Sequence, residues 1–524
     1  RSQGAAGGGG AGLRKLLAEA APEQYETVVL EAVRAEVAKA LEFDSPQDVD
    51  VSLPLQDIGV DSLTAVLLRN QLSDMTGLAL PAKIAFDHPN LRSLSQFLFT
   101  KIQESGLLAA AAAATEPAAP KESAGARRAE DKGVKKGHLE PELQFKNAPK
   151  ALTRPQAVFL TGATGFVGAF LLHELLKSNV PVHCLVRARD EEHGSARLTE
   201  TLDDYGLWDA DYAHLLKPVV GDLTQHMFGM AEDAFNQLAD EVDAICHSGA
   251  LVDWMLPLET YLGPNVVGTH EALRLASRGR GKVIHFVSTA ATLPKYLGYE
   301  VSKDVLEYGY LTSKFMAEQM VAAARYRGAQ ASIYRLPFVG ASSSSGGFRL
   351  DQGDFLHNLI SGCIGLGSFP SLDTQLGGVL PVDYLARTIT QAMTQDFARI
   401  GRNYDFVNPK APTFNDFVEL VRAAGADVET VPFTEWKARA LQYAKAHPKS
   451  SLARISAVVD SLQQKDFESM EGTALGSDVF GGDNYPCPPV SEESVQPYVD
   501  RISAALMSSD LKPDAARSMV AQPA

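Results

Sequence analysis

The stretch VFLTGATGFVGAFLLHELL, residues 158–176, decides how the larger part of this chain folds. An apolar run ends at Thr161, glycines follow at 162, 165 and 168, and apolar residues then recur at helical spacing. This is strand, tight turn and helix in immediate succession. The surrounding chain keeps the same rhythm. Short β-branched runs stand at AVFLTG (157–162), VHCLVR (182–187), LKPVVGD (216–222), DAICHSG (243–249), KVIHFVST (282–289) and ASIYRLP (331–337), with helical stretches between them. Such alternation predicts a parallel sheet covered by helices on both faces. After about Gly340 the rhythm loosens. Segments such as TFNDFVELVRAAG (413–425) and FTEWKARALQYAKAH (433–447) predict a smaller, mostly helical subdomain over 341–515, completing a substrate pocket, with a tail at 516–524.

Ahead of the sheet the composition changes twice. RSQGAAGGGGAG opens a stretch, 1–22, of small residues that cannot build a core and reads as flexible linker. Over 23–105, YETVVLEAVRAEVAKAL, DSLTAVLLRNQLSDMTG and HPNLRSLSQFLFTKI place apolar residues at helical spacing. They predict a small all-α, four-helix-type bundle with a long first loop. Residues 106–150, with AAAAAATEPAAPKESAGARRAEDKGVKKG at their centre, are poor in aromatics and read as a second flexible linker.

At 524 residues the chain exceeds one ordinary core. Its 45% hydrophobic and 21% charged residues are normal for globular protein. A net charge of −16 argues against nucleic acid or an anionic membrane surface as main partner. The longest apolar run near the linker is far short of a membrane span. The cysteines, Cys184, Cys246, Cys363 and Cys487, are far apart, show no metal-ligand spacing, and read as reduced, mostly buried thiols of a cytoplasmic protein; no metal is expected. Arg1 in place of an initiating Met suggests a piece of a larger protein.

The three glycines stand in the context that a dinucleotide fingerprint requires, after a strand and before a helix. A strand–helix turn needs glycine as well, so the flanks carry the information. They make 151–340 a Rossmann, doubly wound domain. Its cofactor would rest on Thr161, Gly162, Thr164, Gly165, Phe166, Val167 and Gly168 at a helix N-terminus. The second strand selects the nucleotide. Asp or Glu there suits NAD, whereas this chain has CLVRARDEEHGSARL (184–198). A guanidinium fork suits a 2′-phosphate, so NADPH is expected, held by Arg187 and Arg197, with Arg189 a solvated loop charge.

In DIGVDSL (57–63), Asp61 or Ser62 can simply cap the helix that follows. The long loop before it, the bundle's size and FDHPNLRSLSQFL (86–98) together resemble an acyl or peptidyl carrier domain, and FDHPN leans toward the polyketide-synthase type. The resemblance implies that Ser62 receives a 4′-phosphopantetheine arm, added by a phosphopantetheinyl transferase. A helix N-terminus favours the phosphate placed there.

The G-x-x-G-x-x-G spacing, with YLTSK (310–314) and the hydroxyl pair of HFVSTAAT (285–292), resembles the extended short-chain dehydrogenase/reductase family. That resemblance implies that Tyr310 donates to the substrate oxygen and that Lys314 binds the nicotinamide ribose. Tyr310 and Lys314, four apart on a helix, share a face. Thr289 would be the third member, with Ser288 the fallback. It also places Gly221, Asp222 and Leu223 beside the adenine and Gly249 and Ala250 close to the cofactor. A surface YxxxK occurs by chance, but the order of glycine turn, arginine strand end, hydroxyl strand end and YxxxK does not. His247 and His285 read as core histidines, Asn265 and Asp383 as structural, and ASSSSGG (341–347) as a flexible loop.

A carrier followed by such a reductase resembles the terminal thioester reductase of polyketide and nonribosomal peptide assembly lines. The same pairing closes carboxylic acid reductases and aminoadipate reductases. It implies an enzyme that docks its carrier on the reductase, accepts an acyl chain from upstream synthase modules, and releases it by NADPH hydride transfer. Stopping at the aldehyde and continuing to the alcohol both fit. So does a fragment of a carboxylic acid or aminoadipate reductase. A Dieckmann-type cyclising release is disfavoured by Tyr310, and a sugar-nucleotide epimerase by the carrier and the arginines. A non-catalytic carrier module would lose no activity when Tyr310 becomes Phe.

Overall fold

The computed structural model describes residues 25–41, scattered positions between 43 and 90, then 91–104, 137–149, 153–253, 256–292, 309–348, 354–397, 400–471, 478–480 and 486–508. The chain divides into two compact units, Arg1–Ser123 and Ala124–Ala524.

In the first unit, helices α1 (Tyr25–Ala40) and α2 (Leu91–Glu104) each carry one apolar stripe. Val29, Val33 and Val37 repeat every four residues; Leu91, Leu94, Leu98 and Ile102 repeat every three or four. All are buried in one core with Leu68 and Leu72. Asn90 caps α2, its Oδ1 accepting from the Ser93 amide at 2.8 Å. An antiparallel bridge from Asn90 to Pro54 ties the long loop to that cap. Ser62 lies outside the described residues, as does most of the helix expected over 61–77.

The second unit is built on strands β1 (Val158–Thr161), β2 (Val182–Val186), β3 (Leu216–Val220), β4 (Ala244–His247), β5 (Val283–Thr289), β6 (Gln330–Leu336), β7 (Asn403–Phe406) and β8 (Asp478–Phe480). They form one sheet in the order β8-β7-β6-β5-β4-β1-β2-β3, every pairing parallel. Strands β1 and β4 are buried throughout, the unbroken apolar pattern of a sheet covered on both faces. Helices α3 (Phe166–Lys177), α4 (Glu191–Asp204) and α9 (Val382–Thr394) pack on one face, while α5 (Glu232–Glu241), α6 (Gly268–Ser277) and α7 (Gly309–Tyr326) pack on the other. The chain order reverses between β1 and β4, so the crevice at their carboxyl ends is the switch point of the fold.

Four further helices, α8 (Phe355–Leu366), α10 (Phe414–Ala423), α11 (Phe433–Ala446) and α12 (Glu492–Ser508), surround a core of their own around Trp436, Phe369 and Phe414. The helical subdomain expected after Gly340 therefore forms. The boundary drawn there does not hold for the sheet, because α9, β7 and β8 return to it. NYDF and DVF carry Asn and Asp in place of a continuous β-branched run, and the sequence reading placed no strand there.

The linker expected over 106–150 ends earlier than its composition suggests. Residues 137–149 form a strap with Leu139, Leu143 and Phe145 buried in the α5–α7 core. Arg327 donates to the carbonyls of Leu139 at 3.1 Å and Leu143 at 3.3 Å, and to that of Glu140. Three apolar residues among Lys, Glu and Pro are invisible to a compositional average. Cys184, Cys246 and Cys363 are buried and Cys487 is half-buried, all as free thiols. Among the described residues no helix is long and apolar enough to cross a membrane. Phe145→Ala is expected to destabilise the second unit by about 3 kcal/mol, read from urea unfolding followed by intrinsic fluorescence.

Candidate active site

The loops after β1 and β4 meet where the sheet order reverses, and both must be bare. Gly162 has φ +77°, and a Cβ there would lie 2.7 Å from the Gly249 Cα. A Cβ on Gly168 would fall 1.8 Å from the Gly162 carbonyl oxygen, closing the turn. Gly165 caps α3 with no side chain, and its amide donates to Gly162 O at 2.9 Å. Gly162, Thr164, Gly165, Phe166 and Val167 keep partial access to solvent, so the N-terminal amides of α3 border an open cradle. A nicotinamide dinucleotide fits this donor set: bare backbone for the pyrophosphate and a helix N-terminus beneath it. The Phe166 ring turns into the core, edge-on to Phe170 and His357, so only its backbone borders the turn.

At the end of β2, Arg187 is exposed and Arg197 is half-buried. Arg197 reaches back from α4 to donate to the Arg187 carbonyl, which brings the pair to one edge of the cradle. Arg189 is exposed, and its backbone amide meets His193 Nδ1 at 3.3 Å. Asp190, the first carboxylate after β2, is engaged as the cap of α4 through the His193 amide. Gly221 continues β3 by donating to Val186 O, while Asp222 closes its own turn by accepting from the Thr224 amide and hydroxyl at 2.7 and 2.8 Å. Leu223 lies against Gly249, where an added Cβ would stand 2.7 Å from its Cδ1. Gly249 and Ala250 begin the loop after β4.

Donor counting assigns one directional chain of hydrogen bonds through the switch point. The Gly249 amide donates to Thr161 Oγ1 at 2.9 Å, leaving the Thr161 hydroxyl to donate to His247 Nδ1 at 2.7 Å. His247 then carries its proton on Nε2 and donates to Thr269 Oγ1 at 3.0 Å, and Thr269 donates to Asn265 O at 2.6 Å. Burial, with the Lys314 charge adding, pulls the His247 pKa down to about 3, consistent with that neutral tautomer. Asn265 sits in a wide helical turn, Leu262–Val267, and its side chain clasps both the amide and carbonyl of Leu251. It also donates to Ser313 Oγ at 2.9 Å, and Ser313 donates to Tyr310 O. The chain thus runs from the glycine turn to α7. The reading of His247 and Asn265 as structural agrees with this placement.

Tyr310 and Lys314 lie one turn apart on α7. The Thr289 hydroxyl and Tyr310 phenol are hydrogen-bonded. Burial raises the phenol's pKa most strongly; the Thr289 bond works against that, and the Asp354 carboxylate adds to it. The phenol is therefore neutral at ordinary pH. Lys314 is 4% exposed, donates to Val287 O at 2.8 Å and stands 4.3 Å over the Phe286 ring. Burial lowers its pKa to about 8, opposed by Glu318. Ser288 points elsewhere: it donates to Glu318 Oε1 at 2.6 Å.

The structure thus gathers Thr289, Tyr310 and Lys314, and separately the glycine cradle and two arginines. His285 bonds the Tyr334 phenol and is likewise lowered to about 3 by burial, a core histidine. Asp383 accepts from the amide and hydroxyl of Ser343, so ASSSSGG is a turn fixed on a carboxylate rather than a flexible loop. Four nearby residues escaped the sequence reading. Tyr261 has its ring 6.0 Å from that of Tyr310, Asp354 caps α8, and Glu318 pairs with Arg335. Of these, Glu318 alone left a signal, since 310, 314 and 318 continue one helical face.

Comparison with known proteins accords with both units. Residues 160–389 match the family described as Male sterility protein, an NAD-binding domain, and residues 31–98 match the phosphopantetheine attachment site. The PKS-NRPS hybrid synthetase acdB of Aspergillus candidus is 44% identical over 500 residues, 95% of this chain and 20% of its own length. The chain therefore spans about a fifth of that relative. The crystal structure of the terminal R domain from the myxalamid PKS-NRPS pathway superposes with a TM-score of 0.59 at 30% identity, over 73% of this chain and 99% of that one. A thiolation-reductase di-domain from an archaeal nonribosomal peptide synthetase shares the fold with a TM-score of 0.55 at 21% identity, over 92% and 98%. A phosphopantetheine-attachment domain followed by this NAD-binding fold places the chain in the family of terminal reductase domains of polyketide–nonribosomal peptide synthetases.

Proposed function

We propose that this chain releases an acyl group from a phosphopantetheine arm on Ser62 by hydride reduction with NADPH. The observation that carries this reading is the Thr289–Tyr310 hydrogen bond with Lys314 one turn away, in a chain that also bears a phosphopantetheine-attachment domain. When bound, the nucleotide supplies a hydride and the arm presents a thioester carbonyl. The protein's residues do the rest.

Tyr310, neutral because burial keeps it so, donates to the carbonyl oxygen, and Thr289 exchanges its bond to the phenol for a second donation to the same atom. Charge developing on that oxygen meets two hydroxyl dipoles already held beside each other. Lys314 anchors the nicotinamide ribose and lends positive charge to the phenol, a role that fades as pH rises through about 8. Arg187 and Arg197 hold the 2′-phosphate, which makes NADPH the preferred reductant. The acyl chain comes from upstream synthase modules, and a phosphopantetheinyl transferase installs the arm. Covalent linkage raises the local concentration of the thioester, so the docking of carrier on reductase needs little affinity of its own.

The decisive experiment loads Ser62 with an acyl-pantetheine, adds NADPH, follows the nicotinamide absorbance and identifies the product. Loss of NADPH with appearance of aldehyde or alcohol supports the reading. Release as acid or ring with NADPH untouched overturns it. In the same assay Tyr310→Phe is expected to slow reduction by about 10²- to 10⁴-fold while NADPH still binds. Replacing Arg187 and Arg197 together with Ala is expected to weaken NADPH binding by roughly 10-fold or more and leave NADH nearly unaffected, measured by nicotinamide fluorescence titration.

A further inference from the structure

Behind the hydroxyl strand end lies a buried carboxylate that the proposed reaction does not use. Glu318, 5% exposed on α7, accepts from Ser288 Oγ at 2.6 Å and Thr292 Oγ1 at 2.7 Å, both on Oε1. Its other side meets the Arg335 fork from β6, with Nε at 3.1 and 3.2 Å and Nη2 at 2.7 Å. The two hydroxyls flank Thr289. Thr292 shares its one hydrogen between Glu318 and the Thr289 carbonyl, at 2.8 Å, closing the turn in which Thr289 sits. The same carboxylate stands one helical turn beyond Lys314 and is the anionic influence acting on its ammonium.

We propose that Glu318, locked by Arg335, is the positioning residue of this active site, setting the Thr289 hydroxyl by clamping Ser288 and Thr292 and holding the charge on Lys314. One group would thus align the second donor to the carbonyl oxygen and sustain the cation at the nicotinamide ribose. The inference rests on the reductase reading for its catalytic consequence, but its electrostatic half does not.

The groups facing Lys314 fix the sign. They are Glu318 and Tyr310 from its own helix and His247 from β4. His247 and Tyr310 are neutral near pH 7, so among the described residues Glu318 is the group that supplies negative charge to Lys314. Glu318→Gln removes that charge while keeping a carbonyl for the hydroxyls, so the Lys314 ammonium loses its proton at lower pH than in the native chain. Thr292→Val opens the clamp and leaves the charge in place.

The test uses the complete chain with two readouts: nicotinamide fluorescence for NADPH binding against pH, and turnover of the acyl-loaded carrier. In the native protein NADPH binding is expected to weaken as pH rises through about 8, where Lys314 loses its proton. Glu318→Gln is expected to move that midpoint to lower pH and to cut kcat by about 10²-fold. Thr292→Val is expected to lower kcat and leave the midpoint unchanged. Circular dichroism confirms that each variant is folded, and Arg335→Lys replaces Glu318→Gln if the latter is not, with the clamp loosened but the local charge kept. An unmoved midpoint in Glu318→Gln, or native kcat in both clamp variants, overturns the proposal. If the native chain binds NADPH but reduces no thioester, the reductase reading fails, and the binding midpoint still decides whether Glu318 governs Lys314.

Discussion

The second unit is arranged around the contact between two glycines, in the loops after β1 and β4, that have no side chains to keep them apart. Gly162 and Gly249 approach so closely at the switch point that a methyl group on the first would collide with the backbone of the second. The close approach of β1 and β4 lets Thr161 reach the Gly249 amide and His247, and it opens the cradle at the N-terminus of α3. Substituting either glycine would separate the strands that set the distance between cradle and reactive pair. The requirement is steric and so is absolute in a way that a hydrogen bond worth about 1 kcal/mol is not.

From that contact a single directional network spans to α7. Gly249, Thr161, His247, Thr269, Asn265, Ser313 and the Tyr310 carbonyl are linked so that each hydrogen has its own acceptor. A network with every member satisfied is stiff, because breaking any one bond strands a buried polar atom. His247 could join it only as a neutral ring, and burial next to Lys314 ensures that state. A histidine that would be a candidate acid or base on sequence grounds is thereby fixed as scaffold.

What the sequence disclosed follows from which signals are local. The glycine turn, the six strands β1 to β6 and the YxxxK face are patterns within about twenty residues, and each was readable. The arginines at the end of β2 were readable too, since the residue type itself carries the chemistry. The hidden features are those whose partners are distant in the chain. The strap at 137–149 needs Arg327, the serine-rich turn needs Asp383, and strand β7 needs β6 before three or four residues can count as a strand. The sequence favoured Thr289 over Ser288 by resemblance alone; that Ser288 is turned toward Glu318 is a fact of α7 and was not legible in the strand.

The same long-range dependence explains why the sheet extends past β6. Arg335 lies on β6, with Asp405 of β7 3.7 Å from its Nη1 on the side away from Glu318. A partly buried guanidinium between two carboxylates is costly to desolvate unless its geometry is fixed, and one carboxylate alone would leave part of the fork without a countercharge. Strand β7 therefore contributes more than backbone hydrogen bonds. By holding Arg335 from behind it lets Glu318 face the hydroxyl turn, so the region after Gly340 reaches the reactive residues through charge.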